Sequence, residues 1–165
     1  MTYVCEQIAG DYVNAGGIFI IGRSLGGAVA AEILNDERNS KIIDGAILEN
    51  TFTSIPDMVD HIFVLVKYVK GIILRIGWYT KDIIPKVSTP ILFVTGDKDE
   101  IVPYEHTLKL YEAAKSGKSA LTDILIIENG THNDTWHKDL KTYLQKVMDF
   151  CEKAHSISAR KRHQE

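Results

Sequence analysis

The chain has 165 residues, of which 45% are hydrophobic and 25% are charged, and its formal net charge is −3. These values are typical of one globular domain and give no argument for binding nucleic acid or an acidic lipid surface. No secretory signal and no uncharged apolar run of about 18 residues is recognisable, so we predict no membrane span within the chain. Cys5 and Cys151 lie near opposite ends and are expected to be reduced thiols rather than metal ligands.

The first third of the chain shows alternating helix and strand patterns. Apolar periodicity predicts a helix over residues 2–14, followed by a buried strand over 17–21. An alanine-rich helix is predicted over 28–34, because alanine and leucine favour helices. A polar loop over 35–41 then leads to a second strand over 42–48.

Residues 57–84 are predicted to form a cap-like, mostly helical excursion before the next strand. The preceding Thr51, Thr53 and Ser54 suit a helix cap, and Asp57 follows in the first turn. The apolar run over 62–78 is interrupted by lysine and arginine, so we interpret it as an amphipathic helix rather than a membrane span. A connection of this length between strands is longer than a simple crossover, which favours an inserted segment.

The second half repeats the alternation of strands and helices. A third strand is predicted over 91–94, a helix over 104–115, and a fourth strand over 124–127. One last helix is predicted over 135–153, followed by a basic disordered tail over 155–165. Strands that alternate with helices predict a parallel sheet with right-handed crossovers.

A glycine–serine–glycine motif joins the first strand to its helix, with Gly22 and Gly26 two positions either side of Ser24. A serine at so sharp a turn is forced into a strained backbone conformation, and side chains at the flanking positions are expected to clash. The Leu25 amide lies at a helix N-terminus, where it suits an oxyanion. In this strand–helix context the motif predicts a nucleophile elbow. The competing interpretation is a turn that only packs or binds an anion.

Further chemically active residues are expected at the same edge of the sheet, because each directly follows a predicted strand. His132 stands in a loop after the fourth strand, and both Asp97 and Asp99 follow the third. The order serine, aspartate, histidine is that of hydrolases in which histidine activates the serine and the acid orients the histidine. The residues alone leave the acid open between Asp97 and Asp99, with weaker alternatives at Asp123 and Asp134. The other histidines are expected in helices or the tail, in structural or solvated roles: His61, His106, His137, His155 and His163.

Four segments together resemble the α/β-hydrolase superfamily, and most specifically its Bem-type subfamily. They lie at residues 22–30, 49–58, 96–103 and 130–136. The resemblance implies a triad of Ser24 as nucleophile, His132 as base and Asp99 as acid, with the Leu25 amide in the oxyanion hole. It implies no metal and no organic cofactor.

The resemblance also implies an α/β fold with a mostly parallel sheet flanked by helices. About four strands are legible, fewer than in the family fold, so residues 1–154 are interpreted as a partial α/β-hydrolase domain that lacks the N-terminal strands. In the family, an early loop supplies a second oxyanion-hole amide. Subfamily members also commonly carry an N-terminal membrane anchor before that loop, and the chain itself gives no prediction of localisation.

The sequence therefore predicts a serine hydrolase that acts on an ester, thioester or amide through an acyl-enzyme. The expected substrate is a small-molecule or lipid-like acyl compound. The alternative hypothesis is a truncated, catalytically impaired domain that acts as a binding module or has no function of its own. The elbow strand normally lies inside the sheet, so its exposed edge is expected to promote self-association.

Overall fold

The computed structural model describes residues 17–59 and 78–163. The helix predicted over 2–14 lies outside the described residues, and so does nearly all of the amphipathic helix predicted over 62–78. Within the described ranges, no helix combines the length and the apolarity needed to cross a membrane.

The sheet of the described residues contains four strands: β1 (Phe19–Arg23), β2 (Gly45–Glu49), β3 (Ile91–Gly96) and β4 (Thr122–Ile127). All pairings are parallel, and the order β1-β2-β3-β4 means that each strand pairs with the next one along the chain. Every residue of β2 and β3 is buried, because each of these strands has a neighbour on both sides and helices over both faces. β1 and β4 are partly exposed.

Helices pack on both faces of the sheet. The described α-helices are α1 (Leu25–Asn35), α2 (Glu37–Ile42), α3 (Ile55–Val59), α4 (Thr80–Ile83), α5 (Tyr104–Lys115), α6 (Thr135–Lys138) and α7 (Leu140–Arg162), and a 3₁₀-helix spans Ile84–Lys86. On one face, Leu34 of α1 and Leu110 of α5 share a buried cluster with Phe93 of β3. On the other face, Phe150 of α7 packs in a cluster with Ile47 of β2. The predicted α/β fold with a parallel sheet flanked by helices is confirmed.

The polar loop predicted over residues 35–41 is wrong, because α2 occupies most of it. Its N-cap is Asp36, whose carboxylate accepts a hydrogen bond from the Arg38 backbone N–H at 2.9 Å. Hydrogen bonds from the Arg38 side chain and backbone lower the pKa of Asp36 to about 2. Because α2 continues to Ile42, β2 begins at Gly45, later than predicted.

The last predicted helix, over residues 135–153, forms two helices, α6 and α7. They are separated at Asp139, whose carboxylate accepts a hydrogen bond from the Thr142 backbone N–H at 3.1 Å and thereby caps α7. The hydrogen bonds from Thr142 also lower the pKa of Asp139. Hydrophobic periodicity did not indicate the break, because Trp136 and Leu140 continue one apolar stripe across it.

The disordered tail predicted over residues 155–165 is wrong as far as Arg162, where α7 ends. The end of this helix is attached to Asp44, which is 1% exposed. Arg162 Nη2 lies 2.8 Å from Asp44 Oδ1 in an ion pair, and Ser158 Oγ donates to the Asp44 carbonyl oxygen at 3.2 Å. Asp44 Oδ2 accepts a hydrogen bond from the Ile18 N–H at 2.8 Å. The buried carboxylate therefore ties the end of α7 to the start of β1.

The two ends of the excursion predicted over residues 57–84 lie side by side. Ser54 Oγ accepts a hydrogen bond from the Asp57 N–H at 3.1 Å, which confirms the cap predicted before α3. The Lys81 backbone N–H in α4 donates to the Thr53 carbonyl oxygen at 2.9 Å, and Lys81 Nζ lies 3.2 Å from Asp57 Oδ2. The chain therefore leaves and rejoins the fold at one place. The interpretation of the excursion as a cap stays a prediction.

Candidate active site

Ser24 occupies the turn between β1 and α1 in a backbone conformation that residues other than glycine rarely adopt. Its φ is 54° and its ψ is −122°, a conformation that costs on the order of 1–3 kcal/mol. Contacts with the end of β2 hold it in place. The Ser24 N–H donates to the Glu49 carbonyl oxygen at 2.9 Å, and Thr51 Oγ1 donates to the Ser24 carbonyl oxygen at 2.8 Å.

Gly22 is required by this turn, but Gly26 is not. A Cβ atom on Gly22 would lie 2.7 Å from the Gly26 carbonyl carbon and 2.8 Å from the Gly27 Cα atom. A Cβ atom on Gly26 would meet nothing within 4 Å beyond its own helix backbone, so the clash predicted for this position is wrong. Gly27 is the second tight position, because a Cβ atom there would lie 2.5 Å from the Thr51 Cβ atom.

The His132 imidazole and the Asp99 carboxylate form a buried contact, with Nδ1 2.8 Å from Oδ2. Their side chains are 7% and 0% exposed, so water competes little for this contact. The other carboxylate oxygen, Oδ1, accepts the backbone N–H groups of Ile101 at 2.9 Å and Val102 at 2.8 Å, which fixes the orientation of the acid. An acceptor at Nδ1 favours the tautomer with its proton on Nδ1 and leaves Nε2 unprotonated.

Asp97, the alternative acid, has different partners. Its Oδ1 accepts a hydrogen bond from the Asn129 backbone N–H at 2.6 Å, which links the loops that follow β3 and β4. The structure thus distinguishes the two aspartates, which the sequence alone left as alternative partners of the histidine. Asp99 contacts the His132 ring, whereas Asp97 accepts a hydrogen bond from the turn that follows β4.

Ser24 and His132 lie at the same edge of the sheet, because they follow the parallel strands β1 and β4 at their carboxyl ends. Among the contacts of the described residues, Ser24 Oγ makes no hydrogen bond to the His132 ring. The structure therefore brings the predicted acid and base together and places the predicted nucleophile at the same edge of the sheet, without a direct bond to them.

The loop that carries His132 is braced by its own side chains. The Thr131 N–H and hydroxyl both donate to Asp134 Oδ1 at 2.7 Å, and these bonds lower the pKa of Asp134 to about 2. Thr135 Oγ1 donates to the Thr131 carbonyl oxygen at 2.6 Å. The His132 N–H donates to Glu100 Oε2 at 3.2 Å. The loop is therefore held at several points around the histidine.

Asn50 is a functional candidate that sequence reasoning missed. It is 0% exposed, and its φ of 47° is in the left-handed region. Its Nδ2 donates to the His132 carbonyl oxygen at 3.1 Å and to Thr135 Oγ1 at 2.9 Å, and its Oδ1 accepts the Gly96 N–H at 3.2 Å. The available signal was its position, because a polar residue directly after a buried strand points to the carboxyl edge.

Glu49 is a second buried group that sequence reasoning missed. Its Oε2 accepts a hydrogen bond from the Tyr143 hydroxyl at 2.9 Å, and its buried Oε1 has no hydrogen-bond partner among the described residues. Burial raises the pKa of Glu49, although the Tyr143 hydroxyl and the charges of Arg23 and His132 act in the opposite direction. Burial and the nearby carboxylate likewise raise the pKa of Tyr143.

Leu25 is the first residue of α1, so its N–H has no acceptor within the helix. That position fits the predicted oxyanion contact, which stays a prediction. Across residues 17–59 and 78–163, no group of three His, Cys, Asp or Glu side chains is arranged to hold a metal ion. His106 is buried in α5, where Nδ1 lies 2.9 Å from Thr53 Oγ1.

Residues 76–157 match the model of the prolyl oligopeptidase family. The chain is 34% identical to the alpha/beta hydrolase domain-containing protein WAV2 of Arabidopsis thaliana, over 86% of this chain and 48% of that protein. It is 39% identical to protein bem46 of Schizosaccharomyces pombe, over 81% of this chain and 42% of that protein. An uncharacterized membrane protein of Saccharomyces cerevisiae is also 39% identical to the chain, over 81% of this chain and 45% of that protein. The chain spans about half the length of these curated relatives.

Solved structures with the same fold include esterases and peptidases. The Pyrococcus furiosus esterase Pf2001 matches with a TM-score of 0.74 and 16% identity, over 92% of this chain and 59% of that one. An acylaminoacyl peptidase in complex with Z-Gly-Gly-Phe-chloromethyl ketone matches with a TM-score of 0.70 and 19% identity, over 89% of this chain and 25% of that one. At these identities the likeness concerns the fold. The sheet and the sequence relatives together show that the chain belongs to the α/β-hydrolase superfamily, where it corresponds to the C-terminal part of the Bem-type proteins.

Proposed function

We propose that this chain carries the catalytic groups of a serine hydrolase that cleaves an ester, thioester or amide. Ser24 is the nucleophile, His132 is the base, and Asp99 orients the histidine. The observation that carries the proposal is the buried 2.8 Å contact between His132 Nδ1 and Asp99 Oδ2, at the same sheet edge as a serine in a strained turn. This contact leaves Nε2 as the ring nitrogen that accepts the serine proton.

In the proposed reaction, Ser24 Oγ attacks the acyl carbon while His132 Nε2 takes the hydroxyl proton. The negative oxygen of the tetrahedral intermediate accepts a hydrogen bond from the Leu25 amide. The bond to the leaving group then breaks, and His132 returns the proton to the departing oxygen, sulfur or nitrogen. Water then attacks the acyl carbon while His132 takes its proton. The bond from the acyl carbon to Ser24 Oγ breaks, His132 returns the proton to Oγ, and the acid is released. The bond between Ser24 and His132 forms on substrate binding, since such bonds are often long without substrate.

The substrate we propose is a small-molecule or lipid-like acyl compound. Exposed apolar side chains follow both reactive residues closely in the chain. Leu25, next to Ser24, is 42% exposed, and Trp136, in α6 just after the His132 loop, is 43% exposed. Exposed apolar side chains on the segments that carry the reacting groups favour an acyl chain over a charged substrate. Two fold neighbours are named an esterase and a peptidase, which agrees with acyl transfer as the reaction class.

A second candidate function is a binding module that associates with a further copy of itself. Ile21 on the outer strand β1 is 63% exposed, and Leu144 and Met148, one turn apart on α7, are 48% and 57% exposed. The outer position of β1 in the sheet of the described residues and these exposed apolar side chains both favour pairing with a second copy. A monodisperse monomer by light scattering would exclude this candidate.

Hydrolysis of p-nitrophenyl acetate by the purified chain tests the enzymatic proposal. We expect a burst of p-nitrophenolate that approaches one equivalent per chain and a slow steady state, because the acyl-enzyme accumulates. Ser24→Ala should abolish the burst. Hydrolysis that persists unchanged in Ser24→Ala would reject Ser24 as the nucleophile.

A further inference from the structure

Three consecutive residues at and beyond the end of β2 contact the backbone of both the nucleophile and the base. The Glu49 carbonyl oxygen accepts the Ser24 N–H at 2.9 Å, and Thr51 Oγ1 donates to the Ser24 carbonyl oxygen at 2.8 Å. Between them, Asn50 Nδ2 donates to the His132 carbonyl oxygen at 3.1 Å. We propose that Asn50 and Thr51 are positioning residues that set the separation of Ser24 from His132, an inference that rests on the proposed function.

Asn50 holds the histidine side of this arrangement. Both hydrogens of its amide are used, one by the His132 carbonyl oxygen and one by Thr135 Oγ1, and its Oδ1 accepts the Gly96 N–H at 3.2 Å. Its own N–H donates to the Val94 carbonyl oxygen at 2.9 Å. The side chain therefore joins the end of β3 to the loop after β4. A carboxylate at this position cannot donate to the carbonyl and would be repelled by it, so the amide is specifically required.

Thr51 holds the serine side. It is 0% exposed, and its side chain is packed so closely against Gly27 that this position of α1 has no room for a Cβ atom. This packing fixes the direction in which its hydroxyl points. The hydroxyl and the neighbouring Glu49 carbonyl together bracket the backbone of Ser24 on both sides.

The two reactive residues are thus anchored to adjacent positions of one buried segment. Asp99 sets the orientation and tautomer of the imidazole, whereas Asn50 sets where the backbone of His132 lies relative to Ser24. Neither positioning residue needs to touch the substrate. Their loss should therefore lower the rate of the chemical step and leave substrate binding unchanged, since displacement of a reacting group by about 1 Å costs about 10²-fold.

The test measures inactivation of the full 165-residue chain by an alkyl fluorophosphonate, which separates the maximal inactivation rate, kinact, from the binding constant, KI. For Asn50→Asp we expect kinact to fall by about 10²-fold with KI unchanged. The matched control is Asn39→Asp. Asn39 is also buried and donates through Nδ2 to a backbone carbonyl, that of Ile33, but it lies in α2 before the amino end of β2. Its variant should keep the wild-type kinact even where its melting temperature falls.

A second pair of variants keeps the proposal testable if Asn50→Asp loses its cooperative unfolding transition. Thr51→Val preserves the shape of the side chain and removes the hydroxyl, and we expect kinact to fall by about tenfold for the lost hydrogen bond. Thr51→Ser keeps the hydroxyl and should retain most of the wild-type kinact. If Thr51 had only a structural role, Thr51→Ser should not have a higher kinact than Thr51→Val, because the serine side chain leaves a small cavity and the valine side chain does not.

The outcomes separate this inference from the function on which it rests. Wild-type chain that is not labelled at Ser24 would overturn the proposed function and this inference with it. Labelling of the wild type with unchanged kinact in a folded Asn50→Asp variant would overturn this inference alone. Equal kinact in Thr51→Val and Thr51→Ser would do the same.

Discussion

Asp99 Oδ2 lies 2.8 Å from His132 Nδ1, while Oδ1 of the same carboxylate accepts two backbone N–H groups. In Asp99→Asn the amide oxygen must take the place of Oδ1, because only an oxygen can accept those two donors. The amide nitrogen then faces Nδ1 and forces the imidazole proton onto Nε2, where it blocks proton transfer from Ser24. We expect ester hydrolysis to fall by about 10⁴-fold.

Asp97→Asn is the matched control for this prediction. Its amide oxygen can still accept the Asn129 N–H, and the bond to the imidazole comes from Asp99 instead, so most of the wild-type activity should remain. The rates of p-nitrophenyl acetate hydrolysis by Asp99→Asn and Asp97→Asn test which aspartate orients the histidine. Equal losses in the two variants would contradict the assignment of Asp99 as the orienting acid.

Substitution of the glycines should distinguish tight from open positions at the elbow. Gly22→Ala places a Cβ atom against backbone, and we expect a loss of about 1–3 kcal/mol in the free energy of unfolding. Gly26→Ala meets nothing beyond its helix, so it should be neutral or stabilising by up to about 1 kcal/mol. Urea denaturation measures both values. Greater destabilisation by Gly26→Ala than by Gly22→Ala would refute this description of the turn.

Glu49 should make stability depend on pH. Burial raises the pKa of this carboxyl above its ordinary value of 4.5, so the folded chain binds its proton more tightly than the unfolded chain does. The stability that this group contributes is therefore complete below pH 4.5 and is lost as the pH rises through the folded-state pKa. Glu49→Gln removes the titrating group and retains an oxygen that can accept the Tyr143 hydroxyl.

We therefore expect Glu49→Gln to be more stable than the wild type at pH 7, and we expect the difference to shrink toward pH 4. Urea denaturation across this pH range measures it. Glu32→Gln, at an exposed position of α1, is the control and should show no such trend. A stability difference for Glu49→Gln that grows as the pH falls would have the opposite sign from the one predicted.

Arg162 should stabilise the fold although it lies near the end of the chain. Arg162→Ala leaves the buried Asp44 carboxylate without its arginine partner, and we expect a loss of about 1–3 kcal/mol in the free energy of unfolding. Lys161→Ala, at the adjacent basic residue, has no ion pair to lose among the described residues and should change stability by less than about 0.5 kcal/mol. Thermal unfolding of both variants checks the difference, and equal melting temperatures would contradict it.

The parts of the fold that the sequence predicted are those specified by local patterns. The buried strands, the helix over 104–115 and the strand-end location of Ser24 and His132 follow from apolar runs and motif spacing. The caps at Asp36 and Asp139 were missed, because each depends on one side-chain hydrogen bond inside a stretch that looks polar or continuously amphipathic.

The long-range contacts of the site could not be predicted from local patterns. Glu49 and Asn50 act on residues that are distant in the chain, and their burial depends on which strands become neighbours. The continuation of α7 as a helix up to Arg162 likewise depends on Asp44, an ion-pair partner more than a hundred residues away in the chain. The expectation for Gly26 failed because backbone clearance at a turn depends on the direction of each Cα–Cβ bond rather than on residue spacing.

The proposal that Ser24 is a nucleophile activated by His132 is tested most directly by mass spectrometry after reaction with a fluorophosphonate. The account predicts one adduct per chain, mapped to the peptide that contains Ser24. It should be absent in Ser24→Ala and should form at least about 10²-fold more slowly in His132→Ala. An unlabelled wild-type chain, an adduct that survives Ser24→Ala, or an unchanged rate in His132→Ala would each contradict the account.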